Sequence, residues 1–204
     1  FLITGILLDA RGAPGYFRTF YARRSLRIFP LYYAFLFVLF VIFPLLRSSG
    51  PEPLGPQLWT LAYLNNFLMG FQGWEAVPAH TTHLWSLAIE EQFYLVWPLV
   101  VLLASRRTLF RICLAAAAIA WCTRLFLHLA LDGGAAGYAL LPARMDALAL
   151  GGILALVVRE EGWEERLSGW LRPAVLAGLF LVGLTATITL LFTPERNACP
   201  PMAL

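Results

Sequence analysis

The fold is decided by the run His83-Leu84-Trp85-Ser86-Leu87-Ala88-Ile89-Glu90-Glu91-Gln92-Phe93-Tyr94-Leu95-Val96-Trp97-Pro98-Leu99-Val100-Val101-Leu102-Leu103-Ala104. A membrane-spanning helix needs about 20 mostly apolar residues, and 84–104 meets that test. Glu90 and Glu91 nevertheless fall inside it. Counting back from Arg106 at about 1.5 Å per residue puts them roughly 22–24 Å from the basic end. The hydrocarbon core is about 30 Å thick, so both carboxylates lie within its depth.

The rest of the chain is of the same kind. Sixty per cent of residues are hydrophobic and 13% are charged, where soluble domains carry about 25% charged residues. Mean hydropathy is +0.72. Segments 28–46, 110–131 and 174–192 also read as spans, and 139–158 does so apart from Arg144 and Asp146. The expected fold class is therefore all-α, a polytopic transmembrane helix bundle. Residues 57–72, with Asn65, Asn66 and Gly70, are too short and polar for a plain span. The chain opens at Phe1 inside an apolar run, so residues 1–8 read as the tail of an earlier span and the whole as a fragment.

Charge sets the sides. Arg18, Arg23, Arg24 and Arg27 crowd one segment, Arg106, Arg107 and Arg111 a second, and Arg159, Arg166 and Arg172 a third. Basic loops favour the cytoplasm. All three lie on that side if an even number of spans separates them, which makes 57–72 non-spanning or only partly inserted. Residues 9–27, 105–109 and 159–173 are then expected in the cytoplasm, and 47–83 and 132–138 outside. The net charge of +3 sits beside apolar spans, so no nucleic-acid partner is expected. No H-E-x-x-H or H-x-x-x-H pattern points to a metal, and a Walker loop is missing.

By the same depth count, Arg124, Arg144 and Asp146 lie about 20–23 Å from the cytoplasmic edge. Together with Glu90 and Glu91 they form one predicted charged layer. A lone charge at that depth costs several kcal/mol, so Glu90 or Glu91 is expected to pair with Arg144 or Arg124 around an outward-open cavity. Structural ion pairs would account for any one of these residues; five in one layer favour a cavity. On a helix, His83, Ser86, Glu90 and Tyr94 share a face. A histidine and a carboxylate two turns apart suit acid–base work, although His83 alone also fits an interfacial residue at a helix start. Arg24 and Arg27 are three residues apart at the membrane surface. That spacing suits phosphate recognition, and it also suits a plain topogenic signal.

Three stretches together resemble the acyltransferase-3 family of bacterial inner-membrane acyltransferases. They are Phe1-Leu2-Ile3-Thr4, then Phe20-Tyr21 with Arg23-Arg24 and Arg27-Ile28-Phe29-Pro30, then His83 through Leu95. A weaker fourth is Arg144-Met145-Asp146 followed by Gly151-Gly152. The resemblance implies that residues 1–204 are part of a membrane acyltransferase domain of about ten helices, lacking its first and last helices. It implies transfer of an acyl group, often acetyl, from acyl-CoA as co-substrate to a hydroxyl of a carbohydrate or glycolipid, with no bound cofactor. It places Arg23, Arg24 and Arg27 at the acyl-CoA entrance, and Trp85, Ser86, Tyr94, Arg124, Arg144 and Asp146 on the acceptor side. The family's catalytic histidine belongs to the helix upstream of Phe1, which leaves His83, Glu90 and Glu91 as supporting candidates. A transporter or flippase-like protein is the competing expectation, since buried charges also line substrate paths.

Overall fold

The computed structural model describes residues 1–47, 54–78, 80–130 and 134–165, together with 169, 173, 176, 179, 180 and 183. It divides into two compact units, Phe1–Val157 and Val158–Leu204. The first carries nine α-helices among the described residues: α1 Leu2–Asp9, α2 Tyr16–Phe37, α3 Phe43–Arg47, α4 Leu54–Leu61, α5 Asn65–Gln72, α6 Trp85–Leu103, α7 Arg106–Ala130, α8 Ala136–Ala139 and α9 Leu141–Val157. A π-helical stretch, Val38–Ile42, joins α2 to α3. Among the described residues four stretches are long and apolar enough to cross a membrane: Tyr16–Leu46, Thr82–Leu103, Arg106–His128 and Ala136–Val157. These correspond to the expected spans 28–46, 84–104, 110–131 and 139–158, three of them ending one to three residues earlier. Most of the expected span 174–192, and Arg166 and Arg172 of the third basic loop, lie outside the described residues.

The start of the second helix needs correcting. A cytoplasmic loop was expected to run from 9 to 27, yet α2 begins at Tyr16, directly after Gly15 at φ 74°. Between Gly15 and Pro30 no glycine or proline interrupts the chain, and Arg, Leu and Ala are good helix formers. At about 1.5 Å per residue, the 31-residue stretch Tyr16–Leu46 is roughly 46 Å long, more than the hydrocarbon thickness. Arg18, Arg23, Arg24 and Arg27 stand on the helix itself, not in a loop before it.

Segment 57–72, read as too short and polar for a plain span, is broken into two helices. Helices α4 and α5 have eight residues each, about 12 Å apiece, too short to cross. Tyr63 separates them with φ 57°. Gln92 of α6 holds this break in place. Its side-chain amide donates to the Tyr63 carbonyl at 2.8 Å and to Asn66 Oδ1 at 2.8 Å, and Asn66 Nδ2 donates back at 3.3 Å.

Small residues bring the helices together, as is usual where packing rather than water drives association. A side chain at Gly152 of α9 would meet Cys113 Sγ at 3.0 Å and Trp97 at 3.3 Å. Leu7, Trp97, Val101, Leu109, Cys113 and Ala149 form the core around this contact. Helix ends are closed by arginines. Arg11 donates to the carbonyls of Val101 and Ala104, and Arg106 to Leu156 at 3.2 Å. The last carbonyls of a helix lack intrahelical partners and attract cations.

Candidate functional site

Helices α2 and α6 run antiparallel, and polar contacts tie them rung by rung. Pro98 has no N–H for the carbonyl one turn earlier, which opens the α6 ladder. Around that opening the Tyr16 hydroxyl donates to the Pro98 carbonyl at 3.0 Å and the Tyr21 hydroxyl to the Leu95 carbonyl at 2.7 Å. This register sets Arg24 beside the glutamates. Its Nε donates to Glu91 Oε1 at 3.1 Å, its Nη2 lies 3.7 Å from Glu90, and its guanidinium stacks 3.5 Å above the Tyr94 ring. The side chains of Arg24 and Glu91 are only 15% and 16% exposed.

A cavity of about 320 Å³ adjoins this cluster. Ile3 and Leu7 of α1 give it an apolar wall, and Tyr16, Phe20, Arg23, Arg24 and Arg27 of α2 face it. The α2 residues recur at three- and four-residue steps, the spacing of one helix face. Arg24 is neutralised by its glutamates. Among the described residues, Arg23 and Arg27 have no carboxylate within ion-pairing distance.

A second charged cluster lies between α7 and α9. Arg124 donates to Asp146 Oδ2 at 2.7 Å and to the Ala143 carbonyl at 2.7 Å. Arg144 Nε donates to the Tyr138 carbonyl at 3.1 Å, and its guanidinium lies 4.1 Å above the Tyr138 ring and 5.4 Å from Trp85.

The single charged layer is thus corrected to two clusters. Glu90 and Glu91 pair with Arg24, not with Arg144 or Arg124, and Arg124 takes Asp146 instead. Equal depth does not fix which way a helix faces, and the partner Arg24 was hidden by starting the helix at 28. His83 belongs to neither cluster. Its ring meets Phe35 at 5.9 Å, and its carbonyl accepts from Ser86 at 3.2 Å. Of the predicted face, only Glu90 and Tyr94 meet through a common partner. The clamp of Gln92 on Tyr63 and Asn66, and the ring of Tyr138, were not singled out from the sequence. Gln92 stood inside the quoted motif, whereas nothing local distinguished Tyr138. Among the described residues no three His, Cys, Asp or Glu side chains converge to hold a metal ion.

Parts of this chain are similar to known proteins. It is 32% identical over 114 residues to an uncharacterized protein of Haemophilus influenzae, a match covering 52% of this chain and 46% of that protein. It is 37% identical over 109 residues to the provisionally named peptidoglycan O-acetyltransferase YrhL of Bacillus subtilis, covering 48% of this chain and 17% of that one. It is 31% identical over 110 residues to the peptidoglycan O-acetyltransferase OatA of Listeria monocytogenes, covering 50% of this chain and 18% of that one. The chain therefore matches less than half the length of each of these relatives. No solved structure matches it at a significant level. A family model described as an acyltransferase domain matches residues 1–202, nearly the whole length of the chain, and the chain belongs to that family.

Proposed function

We propose that the whole protein is a multi-pass O-acyltransferase of the bacterial inner membrane, moving an acetyl group from acyl-CoA to a hydroxyl of a carbohydrate acceptor. The names of two relatives, peptidoglycan O-acetyltransferases, favour a glycan acceptor. The observation that carries the donor is the cavity beside Arg24. Its volume of about 320 Å³ is at the small end of ligand sites, which run roughly 300–1,000 Å³. That suits the thioester arm of an acyl-CoA between α1 and α2. The exposed guanidinium groups of Arg23 and Arg27, one helical turn apart, suit its phosphates. Arg24, held by Glu90, Glu91 and Tyr94, positions the face that carries them.

The reaction is a direct acyl transfer. A base takes the proton of the acceptor hydroxyl, whose oxygen attacks the thioester carbonyl. The C–S bond breaks, an ester forms, and the CoA thiolate leaves and is protonated. The Arg24–Glu91 pair links the donor cavity to α6, whose first residue, Trp85, is assigned to the opposite, acceptor side.

Purified full-length protein given radiolabelled acetyl-CoA and a glycan acceptor should release CoA and label the glycan. An intact thioester, with glycan instead moved across a vesicle membrane, would establish the transporter reading in its place.

A further inference from the structure

Trp74, Trp85, Tyr138 and Arg144 come from four different elements and meet at the end of the bundle away from Arg106 and Arg107. Trp74 stands on the 3₁₀ turn after α5, Trp85 opens α6, Tyr138 lies on α8 and Arg144 in the first turn of α9. The Tyr138 ring lies 4.6 Å from Trp85 and 5.4 Å from Trp74. Trp74 is 42% exposed and Tyr138 45%. Aromatic residues of a membrane interface spread around the lipid-facing perimeter; here the rings of Tyr138 and Trp85 lie against one cation, and Trp74 packs on Tyr138.

Among the described residues the cation has no ion-pair partner. Asp146, two residues along α9, is taken by Arg124. Among the described residues no carboxylate lies within ion-pairing distance of Arg144, and its terminal nitrogens donate no hydrogen bond. The Tyr138 carbonyl and ring fix the guanidinium, which leaves its fork of donors directed away from that carbonyl. A preoriented guanidinium binds carboxylate or phosphate with little ordering cost. Exposed Trp and Tyr rings stack on the C–H faces of sugar rings. Glu75, beside Trp74, is itself exposed, where solvent and salt screen its charge.

We propose that Trp74, Trp85, Tyr138 and Arg144 form a docking platform for a carbohydrate with an anionic substituent: the rings stack on the sugar and Arg144 takes the charge. This deepens the acceptor side of the function proposed above and rests on it for the role of the bound sugar as substrate.

Calorimetric titration of full-length protein in detergent tests it without any need for turnover. The probes are a tetramer of a hexuronic acid and a neutral tetramer of an N-acetylhexosamine. The uronate should bind more tightly than the neutral sugar. Arg144→Gln should weaken uronate binding about tenfold, the loss of one charge-assisted contact, and leave the neutral sugar unchanged. Trp74→Ala, a change at an exposed ring, should weaken both, and Arg144→Lys should keep part of the uronate preference. Equal binding of the two tetramers, no binding of either, or unchanged uronate affinity in Arg144→Gln would overturn the platform. If Arg144→Gln does not fold, the Trp74→Ala and Arg144→Lys results decide. Sugar binding without any acetyl transfer would sink the proposed function and leave the platform standing.

Discussion

Arg24 of α2 and Glu91 of α6, 67 residues apart in sequence, form a 3.1 Å ion pair in which each side chain is about 85% buried. Glu90 is the weaker partner, at 3.7 Å and 45% exposed. Removing one member of a buried pair strands the other charge and costs about 3–5 kcal/mol, whereas an exposed pair contributes about 0–1 kcal/mol. Arg24→Gln and Glu91→Gln should each lower stability strongly, and Glu90→Gln should do so only slightly. The double variant Arg24→Gln/Glu91→Gln should lose less than the sum of the singles. Unfolding in mixed micelles measures all four, and strict additivity would show that the pair is not coupled.

Arg23 and Arg27 face the cavity without carboxylate partners, so their loss should leave the helix intact. In full-length protein, Arg23→Ala and Arg27→Ala should each raise KM for acyl-CoA with the thermal midpoint unchanged. A lost charge-assisted contact is worth about 1.5–3 kcal/mol, or roughly ten- to a hundredfold. An unaltered KM in the double variant would reduce these arginines to a topogenic role.

Gly152 is the point where α9 meets α6 and α7. A side chain there approaches Cys113 Sγ to 3.0 Å. Overpacking of this kind costs about 1–3 kcal/mol. Gly152→Ala should lower the melting temperature, and adding Cys113→Ala should restore part of the loss. Failure of the second change to rescue the first would place the strain elsewhere.

Arg107 and Glu75 are both exposed and flank α6 at its two ends. Single cysteines at these positions, in a background without the natural ones, should react with an impermeant reagent from opposite sides of the membrane. Arg107 is expected on the cytoplasmic side, because clustered arginines are retained there. Labelling of both from one side would show that α6 does not cross the membrane.

Much of this molecule was legible in its sequence. Apolar runs near 20 residues announce spanning helices because lipid leaves backbone groups no other partner. The mid-span Glu90, Glu91, Arg124 and Asp146 announced ion pairing, because isolated charges in lipid are costly, whereas Arg144 pairs with no carboxylate among the described residues. Asn65 and Asn66, with Gly70, marked 57–72 as too polar for a plain span, while the break at Tyr63 between α4 and α5 appeared only in the structure. The pairing itself was decided only in three dimensions. Depth along a helix follows from counting residues, but the direction a side chain faces depends on how the helices rotate against one another. Gly152 allows α9 to close on Cys113 and Trp97, and the tyrosines around Pro98 set the register of α2 on α6. Those contacts gave Glu91 to Arg24, gave Asp146 to Arg124, and left Arg144 to the rings of Tyr138 and Trp85.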